Sequence, residues 1–362
     1  MLRRGVRYPF ADLMLVFVAT VLCGAKSLTM ITEWALRAHR NRRLFDSGHI
    51  PSLATIQRMI AAIDPVALDA AIGAWVSART PMTGLRAIAM DGKEVRGAKK
   101  ASGQKIFLMA DLDHHAGTGL AQEAIDMKTN EIPHLPILLD WLQNLDGTVI
   151  TAVVLHTQTR QAEAIIARGG HYVFTVKGNQ PRLRDRIASQ GWSGHQPGYE
   201  LPEKAHGRTS TWPVTTQPAQ DWTRFPHAAQ TARIIRGRDE HGTGEKTGEQ
   251  VFVITSLPAH LAGAKELAEL IRGHWGIENR LHWVRDTVYS EDASQVRTGH
   301  GAHVMAGLRN LAVSTLRIAG CTNITAAIRS LDHAPETVRH LTGLWTGPAN
   351  EASQGFGELD LK

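Results

Sequence analysis

Cysteine is nearly absent: Cys23 and Cys321 are the only two in 362 residues, and they stand far apart. Such a pair offers neither a disulfide framework nor the close spacing of a zinc knuckle, which leaves a reducing cytosol as the expected home. A long apolar run is missing as well. The most apolar stretch, residues 13–23, follows Arg3, Arg4 and Arg7 much as the core of a signal peptide would, but it is about half the ~20 residues that a spanning helix needs. Leu22-Cys-Gly24 lacks the small-x-small cleavage pattern, and Asp12 interrupts the approach. The run therefore reads as a buried core helix of a cytoplasmic protein with no membrane partner. Acid is scarce in one place. Residues 1–60 hold nine basic side chains against Asp12, Glu33 and Asp46, so this segment carries the whole net charge of +6. A basic module beside a near-neutral remainder fits a polyanionic partner.

Hydrophobic content of 43% and charged content of 20% describe a globular chain long enough for two or three domains. Its first part reads as helical. Residues 9–23 and 27–40 are separated by Gly24, with Ser27 placed to cap the second helix. A third helix starts after Pro51-Ser52, and Asp64-Pro65 opens a fourth with Leu68, Ile72 and Trp75 on its apolar stripe. Short helices with Arg58 on an exposed face, near Arg40, Arg42 and Arg43, suit a helix-turn-helix-like DNA reader, and equally a plain helical bundle.

From residue 86 the texture changes to β-branched alternation. Strands are expected over 86–95, 105–112 and 119–127, with a basic hairpin loop at 97–103, then a helix over 130–145. A strongly apolar strand at 148–155, a helix at 159–168 and a strand at 171–176 follow. A three-strand meander followed by alternating helices and strands describes an α/β fold of the RNase H type. Residues 191–255 read as a β-rich insertion, with strand-like pieces at 208–215, 231–238 and 249–255. Another helix covers 298–320, and the chain beyond 346 reads as a frayed tail.

The most unusual stretch is 272–286. Read as one unbroken helix, it sets His274, Glu278 and His282 on a single face, with Arg285 near the stripe and Trp275, Ile277, Leu281 and Val284 on the buried side. Such a face is either solvated surface or part of a site. Its His-Glu-His ligand types admit zinc. Asp91, flanked by Ile88 and Met90 in the first expected strand, offers a carboxylate where an RNase H-like sheet holds a bridging metal ligand, and paired carboxylates suit divalent magnesium chemistry. Lys177, Asn179 and Gln180 at a strand end either hold phosphates or form a solvated turn.

Several motifs in order then carry a resemblance: Ala89-Met-Asp-Gly-Lys93, Lys128-Thr-Asn-Glu-Ile132, Leu155-His-Thr-Gln158, Tyr172-Val-Phe-Thr-Val-Lys-Gly-Asn-Gln180, His206-Gly-Arg208, His274-Trp-Gly-Ile-Glu-Asn279 and Glu291-Asp-Ala-Ser294. Together with Pro51-Ser-Leu-Ala-Thr-Ile-Gln-Arg58 and Leu68-Asp-Ala-Ala71, the chain over about 3–317 resembles the H-repeat-associated (ISAs-type) branch of the DDE insertion-sequence transposases. The resemblance implies a DNA-binding helical domain at 1–80, an RNase H-like DDE domain at 84–320 and a C-terminal tail at 321–362. It implies a homodimer that binds terminal inverted repeats, then cuts and joins DNA with two Mg²⁺ or Mn²⁺ ions. Carried over residue by residue, Asp91 and Glu278 are the catalytic, metal-binding carboxylates. Lys177, Asn179, His274, Asn279, Arg285 and Arg58 are the residues set against DNA. The branch's second aspartate falls within Thr151-Ala-Val-Val-Leu-His-Thr-Gln158, where Val153 stands in its place. Valine offers a metal no lone pair, so cleavage is expected to be impaired, with Asp111, Asp113 and Asp146 as conceivable substitutes. The alternative is a non-catalytic DNA-binding remnant.

Overall fold

Two strands rich in valine, isoleucine and threonine, β4 (Thr148–Val153) and β5 (His171–Val176), lie side by side in parallel near the centre of a sheet. They carry apolar residues to both faces, as strands covered on two sides do. The computed structural model describes residues 8–40, 50–80, 84–99, 105–125, 135–142, 144–153, 158–205, 208–239, 246–333 and 335–341. The motifs at 128–132, 154–157 and 206–207, the residues Arg3, Arg4, Arg7, Arg42 and Arg43, the hairpin tip at 100–104 and the tail beyond 346 lie outside them.

β1 (Arg86–Lys99) pairs with β4 in parallel and with β2 (Lys105–Asp113) in antiparallel, and β2 pairs with β3 (Gln122–Ile125). On the far side, β5 pairs antiparallel with β9 (Lys246–Thr255), followed outward by β8 (Gln230–Asp239), β7 (Arg208–Pro218) and β6 (Tyr199–Ala205). The order is β3-β2-β1-β4-β5-β9-β8-β7-β6. The β-rich segment is therefore the outer part of the same nine-stranded sheet, joined through the Phe174↔Ile254 ladder. β6 gave no strand signal because it is polar and holds Pro202, a residue that an edge strand tolerates.

One face of the sheet buries Ile88, Met90, Ile150, Tyr172 and Phe174 under α5 (Leu135–Leu142), α6 (Thr159–Ile166) and α7 (Pro181–Ala188). α7 was not foreseen; four of its eight residues are charged, and Leu183 and Ile187 alone anchor it.

The N-terminal helices are α1 (Phe10–Leu22), α2 (Leu28–Arg40), α3 (Leu53–Ala62) and α4 (Pro65–Ser77). Gly24, at φ +85°, makes the left-handed turn that ends α1. Ser27 accepts the Met30 N–H, Ser52 that of Thr55, and Asp64 those of Val66 and Ala67. Asp64→Ala is expected to lower stability by about 1 kcal/mol, read as a lower urea midpoint with an unchanged slope. Phe17, Leu22, Ile31, Ile56 and Ile60 share one apolar cluster with Val304, Leu308 and Leu316 of α10 (Gly301–Ile318). The same cluster takes Ile324, Ala327 and Leu331 of α11 (Ile324–His333) and Val338 of α12 (Pro335–Leu341), so much of the expected tail is packed helix. The Trp34 indole N–H donates to Asp332 at 3.0 Å and ties α2 to α11. α1 is a core helix, and among the described residues no single helix is long and apolar enough to cross a membrane.

Candidate active site

Side chains two apart on a strand share a face, so Asp91 stands with Ala89 and Lys93 on the side of the sheet opposite α5 and α6. Ala89 is buried there with Ile277, Leu281 and Val284. Those residues belong to the helical stretch after β9: α8 (Ala264–His274), a π-helical turn (Glu278–His282) and α9 (Trp283–Thr287). α8 docks by Leu267 and Ile271 onto Val149 and Val173. Gly273 permits the approach, since a Cβ there would lie 2.4 Å from the His114 ring.

The single uninterrupted helix expected over 272–286 is not formed. The α-helix stops at His274, and the following turn is wound wider, a local expansion that is frequent at functional sites. Two consequences follow. Trp275, expected on the buried side, is 41% exposed. His274 leaves the stripe of Glu278 and His282, is buried, and meets the Thr151 hydroxyl at 3.1 Å. On its other side Thr151 meets His114 at 2.9 Å. Burial pushes the His114 imidazole down to about 4, so this ring behind the site is neutral around pH 7.

What the turn brings together is Asp91, Glu278 and His282. One ligand atom from each lies within 4.8 Å of the other two. The His282 Nδ1–H donates to the Glu278 carboxylate at 3.1 Å and stands 3.9 Å from an Asp91 oxygen. That hydrogen bond holds the Glu278 carboxyl below the usual carboxylate range against partial burial, with the His282 and Lys93 charges acting in the same direction. His282 is buried while both carboxylates reach solvent, an arrangement of an inner imidazole and outer oxygens able to hold a divalent ion. His282 was missed as Asp91's partner; its i+4 spacing from Glu278 was the available signal. Lys93, on the same face, bonds Asp286 at 2.7 Å and lies 3.7 Å from Asp292.

The remaining expected residues divide. Arg285 is fully buried: it bonds Glu291, Gln122 and Asn310, so its guanidinium faces the core and not a phosphate. His274 likewise faces inward. Asn179, Asn279 and Arg58 are exposed and Lys177 is half-buried. Lys177 and Asn179 follow the carboxyl end of β5, the same end of the sheet as residue 153, which pairs with Thr175.

The conceivable substitute carboxylates are elsewhere. Asp111 and Asp113 pair with Met90 and Ile88, which places them on the opposite face from Asp91. Asp111 is fully buried and accepts the Leu120 and Ala121 N–H groups, and burial raises its carboxyl to about 7. Asp113 bonds Arg86. Asp146 precedes β4, a strand length of roughly 20 Å from residue 153. The register Met90↔Ala152 brings residue 153 beside Asp91.

The family described as "Transposase DDE domain" matches residues 82–315, and "DDE_Tnp_1-associated" matches residues 2–76. Among curated relatives, the "Putative transposase YncI" of Escherichia coli O157:H7 is 28% identical over 90% of this chain and 85% of its own. The "H repeat-associated putative transposase YhhI" of Escherichia coli K12 is 28% identical over 86% and 85%. A solved piggyBac transposase synaptic complex with hairpin DNA covers 99% of this chain and 78% of its own at 9% identity, with a TM-score of 0.42, too loose a likeness to argue from. Two family matches that together span most of the described chain, and relatives aligned over nearly its whole length, leave one assignment: this chain belongs to the DDE insertion-sequence transposases, in their H-repeat-associated branch.

Proposed function

We propose that this chain is a DNA-binding transposase of RNase H-like fold whose metal centre lacks one carboxylate. The observation that carries the reading is the meeting of Asp91 and Glu278 within 4.8 Å beside the strand position held by Val153. The order β3-β2-β1-β4-β5, with β1, β4 and β5 parallel, supports the fold. Asp91 and Glu278 supply the hard oxygen donors that Mg²⁺ and Mn²⁺ take, and the His282 imidazole favours Mn²⁺ of the two. Bound divalent ions polarise phosphoryl oxygens and lower the pKa of attacking water. The chain's own residues position the DNA: Lys177, Asn179 and Asn279 hold phosphates around the carboxylates, and the N-terminal helices with Arg58 bind the element ends.

A second reading, a DNA-binding remnant without strand cleavage, is favoured by the same Val153, since no other described carboxylate takes its place. Both readings share a weakened centre, and Mn²⁺ binding tests it. In an electron paramagnetic resonance titration of the full chain, Asp91→Asn and Glu278→Gln should each weaken Mn²⁺ binding by more than about 10-fold. Equal binding by the parent and both variants would move the metal centre elsewhere.

A further inference from the structure

A groove of about 980 Å³ runs between the N-terminal helices and the segment that follows α9. One wall is the start of α2 with Lys26, and the floor is α3 with Arg58. The other wall is Ser290 and residues 293–298 with Arg297. Three cations line it, and none of the described lining residues is acidic. Lys26 and Arg58 are exposed, and among the described residues Arg58 bonds within its own helix alone, to the Ala54 carbonyl at 3.2 Å and the Thr55 hydroxyl at 3.5 Å. Arg297 donates one N–H, from Nε, to the Gly97 carbonyl at 2.9 Å. The first turn of α2, a helix of 13 residues, adds the positive end of its dipole to the same space.

The second wall is fastened to the strand that carries Asp91. A Cβ on Gly97 of β1 would lie 2.4 Å from the Ser294 carbonyl oxygen and 2.8 Å from that of Asp292, so only glycine allows the two backbones to lie this close. Lys93, two residues from Asp91, reaches Asp292 at 3.7 Å. Groove and carboxylates are thus two parts of one surface, joined by residues 292–297.

We infer that this groove seats the phosphodiester backbone of a DNA duplex and that its 293–298 wall leads the duplex toward Asp91 and Glu278. The inference rests on the DNA-binding reading above and adds Lys26 and Arg297 to the residues set against DNA. Phosphates neutralised by a cationic groove release the counterions condensed on the DNA, so each contributes about 0.9 to the slope of log affinity against log salt.

The test is fluorescence anisotropy with the full chain and a labelled duplex of about 30 base pairs, between about 50 and 200 mM salt. Lys26→Ala/Arg58→Ala removes two exposed side chains that make no tertiary bond among the described residues, and should lower the slope by about 2. Adding Arg297→Ala should bring the loss to about 3, while the charge-keeping Lys26→Arg/Arg58→Lys should retain the parent slope. Arg182→Ala/Arg184→Ala, on exposed positions of α7, controls for total charge and should leave the slope within about half a unit. If the parent binds and the groove variants keep its slope, or if the α7 pair loses as much, the groove is not the seat and the DNA-binding reading stands. If the parent binds no duplex at the lowest salt, both fall.

Discussion

Val153→Asp should raise Mn²⁺-dependent cleavage of the element's own terminal DNA by more than 100-fold over the parent chain, since even an outer-shell partner of a metal is worth roughly 10–100-fold. The expectation follows from register. Ala89 pairs with Thr151 and Met90 with Ala152, so position 153 adjoins Asp91 on the next strand. A carboxylate there joins Asp91 and Glu278, and nothing else described supplies one: Asp111 and Asp113 lie across the sheet, and Asp146 lies at the far end of β4. The parent and the Val153→Asp form should bind the same DNA alike, because the substitution leaves the groove and the N-terminal helices untouched. Adding Asp91→Asn to Val153→Asp should abolish the gained cleavage. Equal cutting by the parent and Val153→Asp would show that a ligand other than residue 153 completes the centre, with His282 the first to examine.

Glu291→Gln should cost about 3–5 kcal/mol of folding stability, the loss expected when one partner of a buried ion pair is removed. Glu291 is a single carboxylate between two buried guanidiniums, Arg285 at 2.6 Å and Arg309 at 3.0 Å. Burial by itself would raise its pKa, but the two arginines outweigh burial and hold it at about 2. Neutral glutamine leaves both cations in the core without a counter-charge. The pH dependence has a definite sign. A carboxylate depressed on folding stabilises the native state fully above its ordinary value of 4.5, and the contribution fades as pH falls toward about 2. Urea denaturation should therefore show the parent's advantage over Glu291→Gln shrinking through that window. A difference below about 1 kcal/mol at pH 7, as is usual for exposed ion pairs, would mean that water reaches the cluster.

Much of the architecture was legible because local chemistry decided it. The apolar run at 148–153 could only be a covered strand, and Ser52 and Asp64 announced their helices through side-chain oxygens that satisfy open N–H groups. What escaped depended on partners distant in sequence. Nothing within residues 199–255 says that β9 will pair with β5 rather than close a separate domain. α7 is anchored by two apolar side chains, too few for a periodic signal. Asp91 and Glu278 could be named from motif and His282 from its i+4 spacing, but the wide turn that takes His274 off their stripe leaves no trace in residue spacing. Arg285 misled for the opposite reason: an arginine near a polar stripe reads as surface, and only the fold reveals Glu291, Gln122 and Asn310 waiting for it.

The helices that carry Arg58 own no core. Phe17, Leu22, Ile31, Ile56 and Ile60 are covered by α10, α11 and α12, and α10 in turn supplies Arg309 and Asn310 to the cluster that grips Arg285 just beyond the π turn. The N-terminal helices and α10 to α12 thus share one apolar cluster, and a nascent chain cannot complete the packing of α1 to α3 until α10, α11 and α12 have left the ribosome. On the proposed reading, a DNA end held against α3 would take its bearing to Asp91 through α10, which packs on α3 and also bonds Arg285 and Glu291, so the place of the cut would follow the spacing of packed helices.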